Sequence, residues 1–291
     1  DFYDAIIIGG GLAGLTAAAF LSKGGAKVLV CEQADHVGGL FNSFWQSGYS
    51  FDGGIKAVEN SSVMMPMLAQ LGLLEQIHFQ TSPIALVTGG QVMVVRQFSD
   101  VEAYFHMLEG FFPEDQTGLK QILQDMKIVY ELMDGFLTFP IPFFNQPGAG
   151  NKAQADWFKL HSALLTRLPR AAALMRQDLR PYLQQHLSNP SLINLMCDLF
   201  PDGTSLLFGL GYFRMFLDYY YPEGGIQVIP RVLADAIQKW GGEIRLNARV
   251  EKVLLNGKQA NGVRLSDGEE IRAGYVVAAS DLRQALTCLV P

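Results

Sequence analysis

The sequence predicts an α/β fold built on a parallel sheet in two chain segments, with a mainly helical insertion between them. Three observations predict it. The chain opens on a strand–helix–strand run between Ala5 and Cys31. From about Asp100 to Asp218 the apolar spacing is mainly helical. After Gly224-Gly225 strand runs and hairpin turns return. A pattern that stops and resumes reads as one α/β domain split by an insertion.

Ala5-Ile6-Ile7-Ile8 has the length and β-branched content of a buried strand, and three glycines end it. Small and helix-forming residues follow from Leu12 to Leu21, stopped by Gly24-Gly25. Lys27 to Cys31 is a second apolar run, so the unit is βαβ with parallel strands buried on both faces. Met64 to Ile77 keeps helical spacing through Gly72, and Ile84 to Val95 reads as two short strands around Gly89-Gly90. The insertion is punctuated by connectors such as Phe139-Pro140-Ile141-Pro142. Pro230 suits a first helical turn, and that helix stops at Gly241-Gly242. Ile244–Leu246, Val250–Leu255, Ala260–Leu265 and Glu270–Arg272 read as strands, the last three joined by Asn256-Gly257 and Asp267-Gly268 turns as a β-meander. Tyr275–Ala279 reads as a further buried strand. The expected organisation is residues 1–80, an insertion over 81–223, and a second segment over 224–291, which suits the length of 291 residues.

Composition narrows the function. Apolar residues make up 49% and charged residues 17%, with mean hydropathy +0.16, so the chain buries much of itself or handles something apolar. A net charge of -6 without a basic stripe argues against a nucleic-acid partner. No apolar run reaches the roughly 20 residues needed to span a bilayer, and no signal peptide is visible. Cys31, Cys197 and Cys288 have no metal spacing and read as reduced, which points to a cytoplasmic chain, with Cys31 a buried filler. His36, His78, His106, His161 and His186 share no ligand spacing, so no metal site is expected.

The chemistry-bearing motif is Gly9-Gly10-Gly11-Leu12-Ala13-Gly14, a G-x-G-x-x-G between strand and helix. Gly9 suits a tight turn, Gly11 lets backbone approach a pyrophosphate, and Gly14 lets helix and strand pack closely. The helix N-terminus, at Leu12 and Ala13, offers free N–H groups to phosphates. Glu32, 18 residues after Gly14 at the end of the second strand, is placed to accept hydrogen bonds from ribose hydroxyls, with Gln33 beside it. An acid there repels a 2′-phosphate.

Gly38-Gly39 and Phe51-Asp52-Gly53-Gly54 follow. Together with Glu32 they resemble the flavoprotein superfamily of amine oxidases, protoporphyrinogen oxidases and phytoene desaturases. Tyr221-Pro222-Glu223-Gly224-Gly225, Ala248 to Val253, Gly262 to Gly268 and Val276 to Ala279 resemble its phytoene desaturase, carotene isomerase and retinol saturase branch. The resemblance implies a Rossmann-type FAD-binding domain, with FAD held by the glycine loop, Glu32, Gly38, Gly39, Gly54 and the backbone of Val250. It implies hydride transfer between flavin and a lipophilic polyene. Leu40 stands where many relatives carry an arginine, so the phosphates would rely more on backbone donors. No later Gly-Asp element is found, so the C-terminal part of the fold is expected to be missing, and residues 1–291 alone to be nearly colourless and inactive.

In the insertion, Phe136, Phe139, Phe143 and Phe144, and Phe208, Tyr212, Phe213, Phe216, Tyr219, Tyr220 and Tyr221, suggest either core packing, a tunnel for an apolar small molecule, or a patch resting peripherally on a membrane. Arg214 and Asp218 read as an i,i+4 pair rather than a catalytic one. No general base is identified, as fits chemistry carried by a cofactor. Two alternatives stay open: an amine or porphyrinogen oxidase, and a non-enzymatic prenyl- or lipid-binding protein like the Rab escort and GDP-dissociation-inhibitor proteins.

Overall fold

Strand β1 (Phe2–Ile8) is buried from Ala5 to Ile8, and β2 (Val28–Cys31) is buried throughout; both are inner strands of one sheet, as suits parallel strands covered on both faces. Between them runs helix α1 (Leu12–Lys23). The structure, a computed structural model, describes residues 2–59, 63–137, 149–160, 162, 166 and 168–290. These divide into two compact units: Asp1–Val58 with Met67–Gln80 and Tyr220–Pro291, and Glu59–Pro66 with Thr81–Tyr219.

In the first unit the chain continues into the hairpin β3 (Ser43–Gln46) and β4 (Tyr49–Asp52). After the two-residue strand β5 (Val58–Glu59) comes helix α2 (Met64–Leu71). The sequence spacing suggested one helix to Ile77. It stops at Leu71 because Gly72 adopts φ +73°, a left-handed residue that ends the turn, and only a short 3₁₀ turn, Leu74–Gln76, follows. Strand β6 (Phe79–Thr81) closes the segment.

The longer segment of the second unit opens on the hairpin β7 (Ile84–Thr88) and β8 (Gln91–Val95), joined through Gly89-Gly90. Helices follow: α3 (Phe98–Phe111), α4 (Gln116–Leu137), α5 (Ala149–Leu160), α6 (Leu168–Leu174), α7 (Leu179–His186), α8 (Pro190–Cys197) and α9 (Leu206–Phe216). Apolar faces of α3, α4, α7, α8 and α9 meet around Phe105, Leu119, Met126, Leu183, Leu192 and Leu210. The connector Phe139-Pro140-Ile141-Pro142, with Phe143, Phe144 and His161, lies outside the described residues.

One ion pair borders that core, its carboxylate buried and its guanidinium half-exposed. Asp125 is 1% exposed; Arg170 donates to both its oxygens at 3.1 and 2.5 Å, and the Tyr182 hydroxyl donates at 2.6 Å. Burial by itself would raise the Asp125 carboxyl, but the bonds from Arg170 and Tyr182 outweigh it and hold it below the usual carboxylate range. A folded-state value below the unfolded one means stability that is present above about pH 4 and lost as pH falls through the folded value. Asp125→Ala leaves the buried Tyr182 hydroxyl without its acceptor, while the half-exposed Arg170 guanidinium can turn to water, so it should cost about 1–3 kcal/mol. Urea unfolding checks this: the variant should also lose part of the wild type's acid sensitivity, and an unchanged midpoint would contradict it.

The chain returns to the first unit through β9 (Tyr219–Pro222), helix α10 (Val228–Lys239), and strands β10 (Glu243–Arg245), β11 (Val250–Asn256), β12 (Gln259–Leu265) and β13 (Glu270–Ala278). The six-stranded sheet has the order β10-β2-β1-β13-β12-β11. Its first four strands are parallel and β13-β12-β11 form the antiparallel meander. Helices α1 and α10 pack together in this unit. The two strand runs read at 270–272 and 275–279 are one strand, Glu270–Ala278, since the pairing with β1 keeps its register on both sides of Gly274. Nor is its second half fully buried: β12 pairs only as far as Arg272, and Tyr275 is 75% exposed. Cys31 is buried, which pushes its thiol up to about 12 and leaves it inert, while Cys288 is exposed.

Candidate dinucleotide site

The glycine loop leaves the C-terminal end of β1 in the middle of the parallel sheet, where open α/β sheets place their ligand crevice. Gly9 takes φ +103°, and a Cβ there would lie 2.9 Å from the Ala279 carbonyl oxygen. Gly14 lies against the Gly9 carbonyl so closely that any side chain would overlap it. These two glycines are required by the protein itself. Gly11 differs: a Cβ built there meets nothing within 4 Å. It is the N-cap of α1, with no side-chain cap and no acid in the first turn. The N–H groups of Leu12, Ala13 and Gly14 stand in that first turn, where a helix has no acceptors of its own. Leu15 N–H is the first to bond back, to the Gly11 carbonyl at 2.9 Å. The space outside Gly11, next to a bare helix end, fits a phosphate group.

Glu32, at the end of β2, is 9% exposed. Its Oε2 accepts from Gly10 N–H at 2.6 Å and its Oε1 from Ala34 N–H at 2.8 Å. A carboxylate has about four acceptor positions, so two remain for hydroxyl donors. The same residue's backbone accepts from Ala248 N–H at 2.8 Å, which ties the entry of β11, and buried Val250, to the end of β2. Gln33 beside it is exposed.

The second glycine pair meets the first. Gly38 N–H donates to the Gly10 carbonyl at 2.8 Å, Gly38 and Gly11 form a parallel bridge, and a Cβ on Gly39 would lie 3.2 Å from Gly11 Cα. Gly54 packs on the Leu40 backbone, with Ile55 N–H donating to the Leu40 carbonyl at 3.0 Å. The Leu40 side chain is 71% exposed. The structure thus gathers Gly9, Gly11, Gly14, Glu32, Gly38 and Gly39 around one loop, with Leu40 and Gly54 further along.

Two features escaped sequence reasoning. Gly10 has a role of its own, since a Cβ there would press on the Glu32 side chain, on its Cβ, Oε2 and Cγ at 3.0–3.2 Å; the third consecutive glycine was the signal. Asp52 is a knot. It accepts from the Ser43 hydroxyl at 2.8 Å, the Tyr221 hydroxyl at 2.8 Å and Ile226 N–H at 3.2 Å, fastening β3 and β4 to the Tyr221–Gly225 turn. Burial, then the bond to Asp52, pushes the Tyr221 phenol up to about 12. Asp52→Ala leaves these donors without an acceptor and should cost about 1–3 kcal/mol. Spectroscopic titration of the tyrosines should then show one phenol returning toward its ordinary value; an unaltered profile would contradict the assignment.

In the helical unit, the α9 rings pack as a cluster: Phe200 lies 5.0 Å from Tyr212 and 6.1 Å from Phe208, and Phe213 is 6.4 Å from Tyr104. Arg214 pairs with Asp218 at 3.0 Å and with Asp134 at 2.5 Å, so it belongs to a three-member ion cluster. The cluster borders a cavity of about 440 Å³ lined also by Phe98, Lys127, Tyr130 and Leu217. Among the described residues no group of histidines, cysteines or carboxylates suits a metal ion, and no helix is long and apolar enough to cross a membrane.

Comparison with known proteins agrees with this geometry. The profile of the flavin-containing amine oxidoreductase family matches residues 12–291. An inactive all-trans-retinol 13,14-reductase of Danio rerio is 29% identical over 96% of this chain and 47% of its own length. A neurosporene-forming phytoene desaturase of Cereibacter sphaeroides is 29% identical over 95% of this chain and 52% of its own. The chain therefore spans about half the length of these relatives. Wild-type putrescine oxidase bound to putrescine shares the fold, with a TM-score of 0.62 at 18% identity over 100% of this chain and 60% of its own.

Proposed function

Since the chain belongs to the flavin-containing amine oxidoreductases, we propose that it is the cofactor-binding part of an FAD-dependent oxidoreductase that moves a hydride equivalent between the flavin and a lipophilic polyene of the carotenoid or retinoid kind. The observation that carries the cofactor half of this reading is Gly11: its open face, beside a bare helix N-terminus and the buried Glu32, is a cradle that a single methyl group would fill. The polyene half rests on the names of relatives, among them an all-trans-retinol 13,14-reductase and a phytoene desaturase.

Each residue then has a task. Leu12, Ala13 and Gly14 N–H groups neutralise the pyrophosphate, helped by the helix dipole. Gly9 and Gly14 hold the loop against the sheet, and Gly38 and Gly39 close it from the other side. Glu32 accepts from the ribose hydroxyls while its bonds to Gly10 and Ala34 fix its orientation. Gln33 and the Val250 backbone border the adenine, and Leu40 and Gly54 border the chain leading to the flavin ring. FAD, when bound, supplies the two-electron acceptor or donor, so the protein's part is position and dryness. Anaerobic mixing of the full-length holoprotein with candidate polyenes tests the reading. Bleaching or recovery of the flavin absorbance with a carotenoid or retinoid is expected; reduction by primary amines and not by polyenes would move the protein to the amine-oxidising branch.

A further inference from the structure

We propose that the β3–β4 hairpin is a shallow anchor that seats the protein on an uncharged lipid bilayer. The inference rests on the reading of a lipophilic substrate, because a polyene resides in lipid and an enzyme that takes it must meet that phase. The hairpin itself is the observation. Phe44 is 48%, Trp45 75%, Tyr49 69% and Phe51 47% exposed. Four large aromatic side chains in eight residues are thus presented to solvent. From Val37 to Phe51 no side chain carries a charge. The first acid, Asp52, turns its carboxylate to Ser43, Tyr221 and Ile226 instead of to the surface.

The shape favours lipid over a protein partner. The register pairs Phe44 with Phe51 and Gln46 with Tyr49, which places these four on one face, and Trp45 with Ser50, which places those on the other. A flat protein surface would cover one face and leave the other wet. A fluid phase entered by the tip covers both. The ribbon is stiff enough for this: Ser47 and Gly48 at φ +52° and +83° form the tight turn suited to hairpins, and the Phe44 and Phe51 rings stack at 5.6 Å. Trp and Tyr, each an apolar ring with a polar tip, are the side chains that settle at the level of lipid headgroups. The absence of Lys and Arg from this stretch matches a zwitterionic surface, since attraction to anionic lipid needs basic residues.

The test uses the full-length protein and phosphatidylcholine vesicles free of any polyene, some with brominated acyl chains. Brominated lipid should quench Trp45 fluorescence, and Trp45→Phe, which keeps an aromatic ring, should remove that quenching while vesicle binding persists. Phe44→Ser with Tyr49→Ser should weaken partitioning by about tenfold or more, given the apolar area removed. Both variants should keep wild-type circular dichroism, since the rings are exposed. Adding phosphatidylserine should change binding by less than about twofold. Shielding of Trp45 from aqueous acrylamide before vesicles are added would mean that protein covers the hairpin, and would overturn the proposal. So would undiminished vesicle binding by the Phe44/Tyr49 variant. Neither outcome bears on flavin reduction by polyenes, which is read separately.

Discussion

Gly11→Ala is expected to leave the fold standing and to lower FAD affinity about a hundredfold, by placing a methyl group where the pyrophosphate must lie. The structure separates this from a folding defect. A Cβ at Gly11 touches no protein atom within 4 Å, and alanine in place of a glycine N-cap should cost only about 1 kcal/mol or less. Gly14→Ala, three residues on, drives a methyl into the Gly9 carbonyl and should cost about 3 kcal/mol or more, the upper end of overpacking. Melting curves and flavin occupancy measured together distinguish the two. Gly11→Ala should melt near the temperature of the wild-type apoprotein and be colourless, whereas Gly14→Ala should be unstable with or without cofactor. Full occupancy in the Gly11 variant would reduce the loop to a tight turn.

Glu32→Ala should have the second large effect. It removes the carboxylate that accepts from Gly10 and Ala34, and with it the acceptors assigned to ribose. Each hydrogen bond to a charged group is worth about 1.5–3 kcal/mol, so FAD affinity should fall about ten- to a hundredfold even if one ribose bond is lost. The empty position also leaves Gly10 N–H without its acceptor, so a stability loss of about 1–3 kcal/mol should accompany it. Glu32→Gln separates the two roles. The amide oxygen can still accept from one N–H group, so stability should partly return while affinity stays low. Titration of apoprotein with FAD checks this, and wild-type affinity in either variant would remove the ribose assignment.

The parts legible in the sequence are those set by neighbouring residues. Ile6, Ile7 and Ile8 announce a buried strand, the glycines after them a loop too tight for side chains, and Asn256-Gly257 a hairpin, because each depends on local sterics. Gly72 was within reach of the same reasoning, but helical spacing on both sides concealed a stop that only its φ reveals. Gly274 misled in the opposite direction: glycine weakens a strand, yet pairing with β1 carries β13 straight through it. The exposure of Tyr275 depends on where β12 stops pairing, which no local pattern records. The bonds of Asp52, read in the sequence only as part of its motif, and of Asp125 were hidden for the same reason. Apart from Ser43, the partners of Asp52 lie 169 and 174 residues away, and those of Asp125 lie 45 and 57 away, so the sequence shows neither set of bonds. In the candidate site, the glycines and Glu32 were readable as types at a spacing; the Gly10–Glu32 bond that joins them was not.

The central claim is that this loop holds FAD, and the cofactor of the purified full-length protein tests it most directly. The protein should be yellow, bleach on reduction, and release on denaturation one flavin per chain whose mass is that of FAD. A protein that is colourless and stays so after incubation with excess FAD, with no binding detected in titration, would contradict the account.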